Sequence, residues 1–546
     1  MPVLDYVVIG IFSLLIFAVG VSFTRTGSSM KSFFAAGGTL PWWLSGLSLF
    51  MSFFSAGTFV VWGSIAYQYG WVAITIQWMM ALGGFLIGYF IAPRWHQTGV
   101  LTVGEYVGRR FGERLKRFYS YIFLVLSFVT TGAFLYPVAK LFNVSTGFSI
   151  EISIIILGLI VIAYTAAGGL WAVIITDVLQ FIILFAAVLI VVPLALDRVG
   201  GPERFIQSAP PDFFQLINGE YTYWFLLAFM FYNTIFIGGN WAYVQRYTSV
   251  STSGDARKAA WLFGILYLFS PVLWMLPPMV YKIQHPDLVD LANEGAFLLM
   301  CKEVLPSGLL GLMLAGMLFA TASSVNTTLN MMSAVFTNDL YARLVTNISN
   351  RSLMRVARIS TFVFGIITIL VALIVPAAGG IVEVVISVGA ITGAPLFAPT
   401  IWALFSKRQT AKSILTVTLL SLAINIFFKF FTPWLFDFAL DRAQEMMVGV
   451  FVPLVLLLLF ELLQTETVDP NILQDGEVTE SKNKGANAFA IVVLGKAVTF
   501  TGVMIAIFVL AGSIGQVWSL FISLLIIVVG ILLWKHSQNA YRKGNR

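Results

Sequence analysis

The sequence predicts an all-α polytopic membrane protein, and three observations carry that prediction. Mean hydropathy is +0.91, with 59% hydrophobic and only 10% charged residues, which excludes both a soluble globule and a disordered chain. About fifteen apolar runs, with fourteen also allowed, mostly reach or exceed the roughly 20 residues a helix needs to cross a bilayer. None shows the strand-like alternation of a membrane barrel.

The first run, 5 to 24, lacks a basic leading segment and ends in SFTRTG rather than at a small-residue cleavage site, so it is expected to remain as a helix. The second, 40 to 67, contains LSLFMSFFSAGTFVVWGSIAY, where Ser48, Ser52, Ser55, Gly57 and Thr58 interrupt bulky residues. Such clusters either pack helices tightly or unwind them to line a cavity. Spans at 72 to 94, 118 to 143 and 150 to 167 follow on hydropathy. The span 169 to 196 carries Asp177 roughly eight residues in, where an unpaired carboxylate would cost at least ~2.5 to 3.5 kcal/mol. A partner and a function are therefore expected for it. Next come 222 to 247, 259 to 282 and 305 to 337, then 355 to 377 and 380 to 405, the last with Glu383 near one surface. Spans 411 to 431, 443 to 463, 489 to 512 and 515 to 535 complete the set. Lys140, Lys429 and Lys496 lie near helix ends and are expected to snorkel. The polar, acidic stretch 464 to 488 reads as a flexible linker.

An odd number of spans places the termini on opposite sides. With Met1 outside, 24 of the 32 Lys and Arg fall in alternate loops or the basic tail, Arg246 counted among them. The positive-inside bias thus predicts a plasma (inner) membrane protein with an external N-terminus and a cytoplasmic C-terminus. The net charge of +7 reflects that bias and calls for no nucleic-acid partner. One cysteine, Cys301, and three scattered histidines give neither a disulfide nor a metal motif. No phosphate-binding lysine loop is present, and no nucleophile, base and orienting group converge, so an enzyme is not expected.

Function must then reside in polar groups at membrane depth. In ATASSVNTTLN, residues 320 to 330, seven of eleven side chains carry a hydroxyl or an amide. On a helix Ala320, Ser323, Ser324, Thr327 and Thr328 form one stripe flanked by Asn326 and Asn330. Serine and threonine can bond back to carbonyls four residues earlier or join neighbouring helices. A hard monovalent cation is the other reading, since it prefers neutral oxygen ligands.

FFAAGGTLPWWLSGLSLF, TVGEYVGRRFGERLKRF, AAGGLWAVIITDVLQ, GGNWAYVQRYTS and ATASSVNTTLNMMSAVFTNDLY, in this order, resemble blocks of the sodium/solute symporter family over about residues 30 to 410. The resemblance implies a leucine-transporter-like fold of two inverted five-helix repeats, 40 to 196 and 222 to 405, each opening with a broken helix. Residues 1 to 39, 406 to 463 and 489 to 546 would be peripheral, and 197 to 221 an external loop. It also implies a sodium site made of the carbonyls of Met51, Phe54 and Ala320 and the hydroxyls of Ser323 and Ser324. In members with a second sodium, Asp177, Ser323 and Thr327 match ligand positions, while Asn326 replaces a serine with an amide oxygen that can still coordinate, so one or two ions stay open.

Substrate positions carry over less fully. Gly57 and Thr58 replace the Glu-Gln pair of sugar carriers, Gln77 stands for their glutamate, Tyr267 for their lysine, Phe236 for a stacking tyrosine and Ile386 for a glutamine, while Asn233 is retained. Thr130 stands where sialic-acid carriers place an arginine. The pocket implied is Ser55, Thr58, Gln77, Asn233, Phe236 and Tyr267, with Trp62 beside it. Neutral hydrogen-bonding groups and aromatic walls suit a small polar organic solute, neutral or weakly charged. The expected function is sodium-coupled import by alternating access. Proton coupling through Asp177, or a solute-binding sensor or channel, are the alternatives.

Overall fold

A computed structural model describes residues 2–23, 38–100, 102–288, 290–342, 349–375, 381–464, 484–511 and 516–544. Of the linker expected at 464 to 488, residues 465–483 lie outside them and 484–488 instead begin a helix; the side chains of Glu383 and Ile386 are not described. Among the described residues the chain is helical, and the only strand-like pairing is an isolated bridge between Leu40 and Val250.

In chain order the helices are α1 Val3–Ser22, α2 Trp42–Met51 and α3 Gly63–Tyr69, the last preceded by a π-turn at Thr58–Trp62. Then follow α4 Val72–Gln97, α5 Val103–Phe111, α6 Glu113–Thr146, α7 Ile150–Arg198 and α8 Pro202–Ser208. Next are α9 Tyr223–Gly239, α10 Trp241–Thr248, α11 Ser253–Gln284, α12 Ala296–Val304 and α13 Leu309–Tyr341. The chain closes with α14 Asn350–Ala372, α15 Ile381–Ala403, α16 Ala411–Phe436, α17 Arg442–Leu463, α18 Lys484–Ala511 and α19 Gln516–Gly544.

Each predicted span has a helical counterpart, with one difference. The spans expected at 150 to 167 and 169 to 196 form a single helical element, α7, of 49 residues. Glycine inside an apolar helix costs only about 1 kcal/mol, so Gly168 and Gly169 need not interrupt it.

The element that organises the molecule is α13. Every residue from Leu309 to Ala334 is buried, so this helix is enclosed on all sides, by α7, α6, α1 and α14. Its first turn is capped in trans. The Asp5 carboxylate of α1 accepts hydrogen bonds from the backbone N–H groups of Gly308 (2.6 Å) and Gly311 (2.9 Å), satisfying donors that a helix start leaves without partners. The two helices approach so closely that a Cβ on Gly311 would lie 2.5 Å from the Asp5 carbonyl oxygen. At the opposite end, Asp339 of α13 pairs with Lys116 of α6 at 2.8 Å, both buried. Between these ends α13 carries its hydroxyl stripe across the middle of the bundle.

Two helices are interrupted. The first is α2–α3, where α2 ends at Met51 and its i to i−4 backbone bonds lapse after that from Phe54 N–H to the Phe50 carbonyl (3.0 Å). The second is α9–α10, bent by 64° at Asn240. The Asn240 side chain accepts the Ala242 N–H at 3.0 Å and starts α10 as its cap.

Candidate functional site

The break after α2 can be followed hydrogen bond by hydrogen bond. In an uninterrupted helix the N–H groups of Ser55, Ala56, Gly57 and Thr58 would donate to the carbonyls of Met51, Ser52, Phe53 and Phe54. Instead Ser55 N donates to Thr58 Oγ1 (3.1 Å), Ala56 N to Thr321 Oγ1 (3.0 Å), Gly57 N to Ser55 Oγ (3.2 Å) and Thr58 N to the Ser55 carbonyl (2.9 Å). Three of the four are diverted to hydroxyls that this sequence supplies locally or from α13. Four carbonyls are released. Ser324 Oγ takes that of Ser52 (3.0 Å) and Thr58 Oγ1 takes that of Phe53 (2.7 Å). Among the described residues no side-chain donor, and no backbone N–H outside the helices, reaches the carbonyls of Met51 or Phe54.

Those two carbonyls are the ones the sequence resemblance assigns to sodium, and Ser324 of α13 lies against the same turn. The Ser324 hydroxyl is also 3.5 Å from the Ala320 carbonyl, so Ala320, Ser324 and the broken segment converge. Ser323 faces the other way round the stripe and donates to Asp177 Oδ1. A hydroxyl that ligates a cation must send its proton elsewhere, and Asp177 receives this one, leaving the Ser323 oxygen lone pairs for a ligand. Neutral oxygens of this kind fit a hard monovalent cation.

Asp177 anchors a closed polar network. Its second oxygen accepts from Ser48 of α2, whose hydroxyl accepts from Arg246 Nε at 2.9 Å. Arg246 of α10 also donates to Thr327 Oγ1 (3.0 Å) and Gln245 Oε1 (3.2 Å), and its guanidinium lies 3.9 Å from Asp177 Oδ2. Both Asp177 and Arg246 are completely buried. Four helices meet here: α2, α7, α10 and α13. This corrects the placement of Arg246 in a hydrated loop, because the bend at Asn240 folds α10 back against the bundle. Of the residues matched to a second sodium, Asp177 and Thr327 are engaged with Arg246, and the buried Asn326 Oδ1 meets no hydrogen-bond donor in the structure as described.

A cavity of about 140 Å³ borders the α2–α3 break, with Phe53, Ser55, Gly57 and Thr58 in its lining. Its lining includes Ser55, Thr58, Trp62, Thr130, Asn233, Phe236 and Tyr267. One wall is a ladder of rings along α9, with Phe229, Tyr232 and Phe236 stacked at centroid separations of 5.9 and 5.4 Å. Tyr232 rests on α15, where a Cβ on Gly389 would come within 2.5 Å of its hydroxyl. Asn233 donates to the Phe229 carbonyl (2.8 Å), and the buried Tyr267 hydroxyl has no partner among the described residues. Gln77 is not among the lining residues. It is fully buried, accepts from Trp274 Nε1 (3.0 Å) and donates to the Ala73 carbonyl (3.1 Å), so its amide supports packing between α4 and α11.

Sequence reasoning passed over Thr321, Tyr232, Met446 and the role of Arg246. Thr321 sits off the stripe that was counted, and only the diverted Ala56 N–H reveals it. Met446 reaches the cavity from α17, outside the ten-helix core. For α10 the signal was Gly238, Gly239 and Asn240, a helix stop followed by a cap.

Residues 33–420 match the sodium:solute symporter family. The chain is 27% identical over 470 residues to a sodium/glucose cotransporter of Vibrio parahaemolyticus, covering 78% of this chain and 85% of that protein. It is 27% identical over 438 residues to the sodium/sialic acid symporter NanT of Aliivibrio fischeri, covering 77% and 86%. It also resembles the solved structure of a sodium-coupled sialic acid symporter in a substrate-bound, outward-open state. There the TM-score is 0.71 at 22% identity, over 85% of this chain and 99% of that one.

Proposed function

Because the chain belongs to the sodium:solute symporter family and is a sodium-coupled symporter of leucine-transporter-like fold, we propose that it imports a small, neutral or weakly charged organic solute together with sodium held between the α2–α3 break and α13. The sodium ligands in this reading are the carbonyls of Met51, Phe54 and Ala320 and the hydroxyls of Ser323 and Ser324. The observation that supports it most is the pair of freed carbonyls, Met51 and Phe54, next to a break that Ser324 and Thr321 of α13 already bridge. Solute would occupy the adjacent cavity, meeting Ser55, Thr58, Asn233 and Tyr267 with its polar groups and Phe236 and Trp62 with its apolar faces. Its described lining carries no charged side chain, which disfavours a solute whose recognition needs a carboxylate clamp.

The two broken helices, α2–α3 and α9–α10, would open the repeats 40 to 196 and 222 to 405, and the termini would face opposite sides with Met1 external. Sodium bridging α13 to the break stabilises one arrangement of the repeats and thereby the cavity beside it. Each sodium carried inward across 100 mV contributes ~2.3 kcal/mol, roughly fifty-fold accumulation, before any sodium gradient is added.

The test is thermal stabilisation of the purified protein by a panel of polar solutes, in sodium chloride and in choline chloride. One solute class should stabilise only with sodium. Equal stabilisation in choline would favour proton coupling or simple binding and would overturn the reading.

A further inference from the structure

We propose that the groove between α9, α15 and α17 holds an acyl chain of one anionic phospholipid, whose phosphate is bound by Arg94, Lys407 and Arg408. The groove has a volume of about 330 Å³, against about 140 Å³ for the solute cavity, and is lined by Ile235, Ala398, Ile401, Trp402, Phe405 and Leu454. Ala398, Ile401 and Trp402 share one face of α15 at three- and four-residue spacing, and Phe405 follows its last turn. The one polar atom among these six side chains, Trp402 Nε1, donates to Glu461 Oε2 at 3.1 Å. No side-chain donor or acceptor is left for a polar solute. Beside Leu454, α17 exposes Val455, Leu458 and Leu459, a surface suited to hydrocarbon. Within a bilayer such a space is filled, because a void forfeits the dispersion contacts of its walls, and the hydrocarbon at hand is lipid.

Charge selects the lipid. At the Phe405 end the Arg94 guanidinium lies 3.8 Å from the ring centroid, and Lys407 and Arg408 follow two and three residues later, all three exposed. They are not needed to close α15, since Arg110 already donates to the carbonyls of Ala403 and Ser406 at its end. Among the described residues neither Arg94 nor Lys407 pairs with a carboxylate. Arg408 donates to the Glu461 carbonyl at 3.2 Å, and the Glu461 carboxylate accepts from Trp402 and Gln409. Three cations beside one engaged carboxylate give the apolar groove a positive mouth. A phosphodiester carried on an acyl chain complements both parts, because guanidinium binds phosphate bidentately and basic pockets between spanning helices hold anionic headgroups. The site also borders the second broken helix: a Cβ on Gly239, one residue before the Asn240 bend, would lie 2.9 Å from Ile401 Cδ1.

The test titrates the purified full chain in detergent with phosphatidylglycerol or phosphatidylcholine carrying brominated acyl chains, which quench nearby tryptophan fluorescence. Quenching seen in wild type and lost in Trp402→Phe reports the groove. Phosphatidylglycerol should produce that component saturably, at a concentration roughly ten- to thirtyfold below phosphatidylcholine, and Arg94→Gln combined with Lys407→Gln should erase the difference. Glycerol phosphate, which has the headgroup charge without the chains, should leave the melting temperature unchanged. Equal half-points for the two lipids in wild type, or a preference that survives in the double variant, overturns the proposal. So does stabilisation by glycerol phosphate equal to that by phosphatidylglycerol, which would assign the cations to a free anion. If the double variant does not fold, the wild-type comparison of the two lipids decides. Sodium is omitted throughout, so the outcome is independent of the sodium-site reading.

Discussion

The Asp177 network and the cavity that borders the α2–α3 break belong to the same bundle, yet they are built by opposite rules. Around Asp177, Ser48, Ser323, Thr327 and Arg246 partner one another across four helices, and both charges are fully enclosed. In the cavity the walls are mostly apolar, with a ladder of rings on one side, the Tyr267 hydroxyl is left over among the described residues, and Tyr232 rests against Gly389. A closed network tolerates little change, because removing one member strands the rest in a low-dielectric space. A cavity lined by rings and isolated polar groups can be reshaped without losing the fold. The difference teaches where selection for the ion and for the solute can act separately.

The largest effect should come from breaking the network. Asp177→Ala leaves Arg246 as an uncompensated buried charge, a loss on the order of 3–5 kcal/mol. Differential scanning fluorimetry should show a pronounced fall in melting temperature for Asp177→Ala, and the double replacement Asp177→Leu with Arg246→Met should recover most of it. A single variant as stable as wild type would show that the pair is not closed.

A smaller and different effect is expected at the cavity wall. Gly389→Ala puts a Cβ 2.5 Å from the Tyr232 hydroxyl, so the ring must move into the cavity, at about 1–3 kcal/mol. Solute-dependent stabilisation should weaken roughly tenfold while sodium binding stays at the wild-type level. Equal loss of both would mean that cavity and network are one unit. Smallest is Tyr267→Phe. The buried hydroxyl has no protein partner in the structure as described, so stability should hold or rise slightly, while a solute that bonds to it should lose about 0.5–1.5 kcal/mol of affinity. Unchanged solute affinity would remove Tyr267 from the contact set.

The same contrast explains what could be read from the sequence. Hydropathy alone located the spans, because a bilayer forces helices to be long and apolar. Resemblance pointed to the proposed sodium ligands, and the helix break beside them is legible because serine and threonine at 52 to 58 and the α13 stripe supply hydroxyls that compete with helical hydrogen bonds. The continuity of α7 was not legible, since hydropathy separates spans by apolar content and does not tell whether helical hydrogen bonding continues between them. Arg246 was misplaced because a charge count treats arginine as a loop residue, and only the 64° bend carries it inward. Gln77 was matched to the solute pocket through the resemblance, and a matched position does not reveal that Trp274 meets its amide oxygen. The cavity depends on packing between distant helices, and no short stretch encodes it.

The most direct test of the central claim is the sodium concentration that half-stabilises the purified protein against heat, compared between wild type and Ser324→Ala at constant ionic strength with choline as the replacement cation. The account predicts saturable, sodium-selective stabilisation of wild type and a shift of roughly ten- to a hundredfold in Ser324→Ala, as expected for losing an oxygen contact to a charged group worth about 1.5–3 kcal/mol. Superimposable sodium curves for the two proteins, or wild-type stabilisation that choline reproduces, would contradict it.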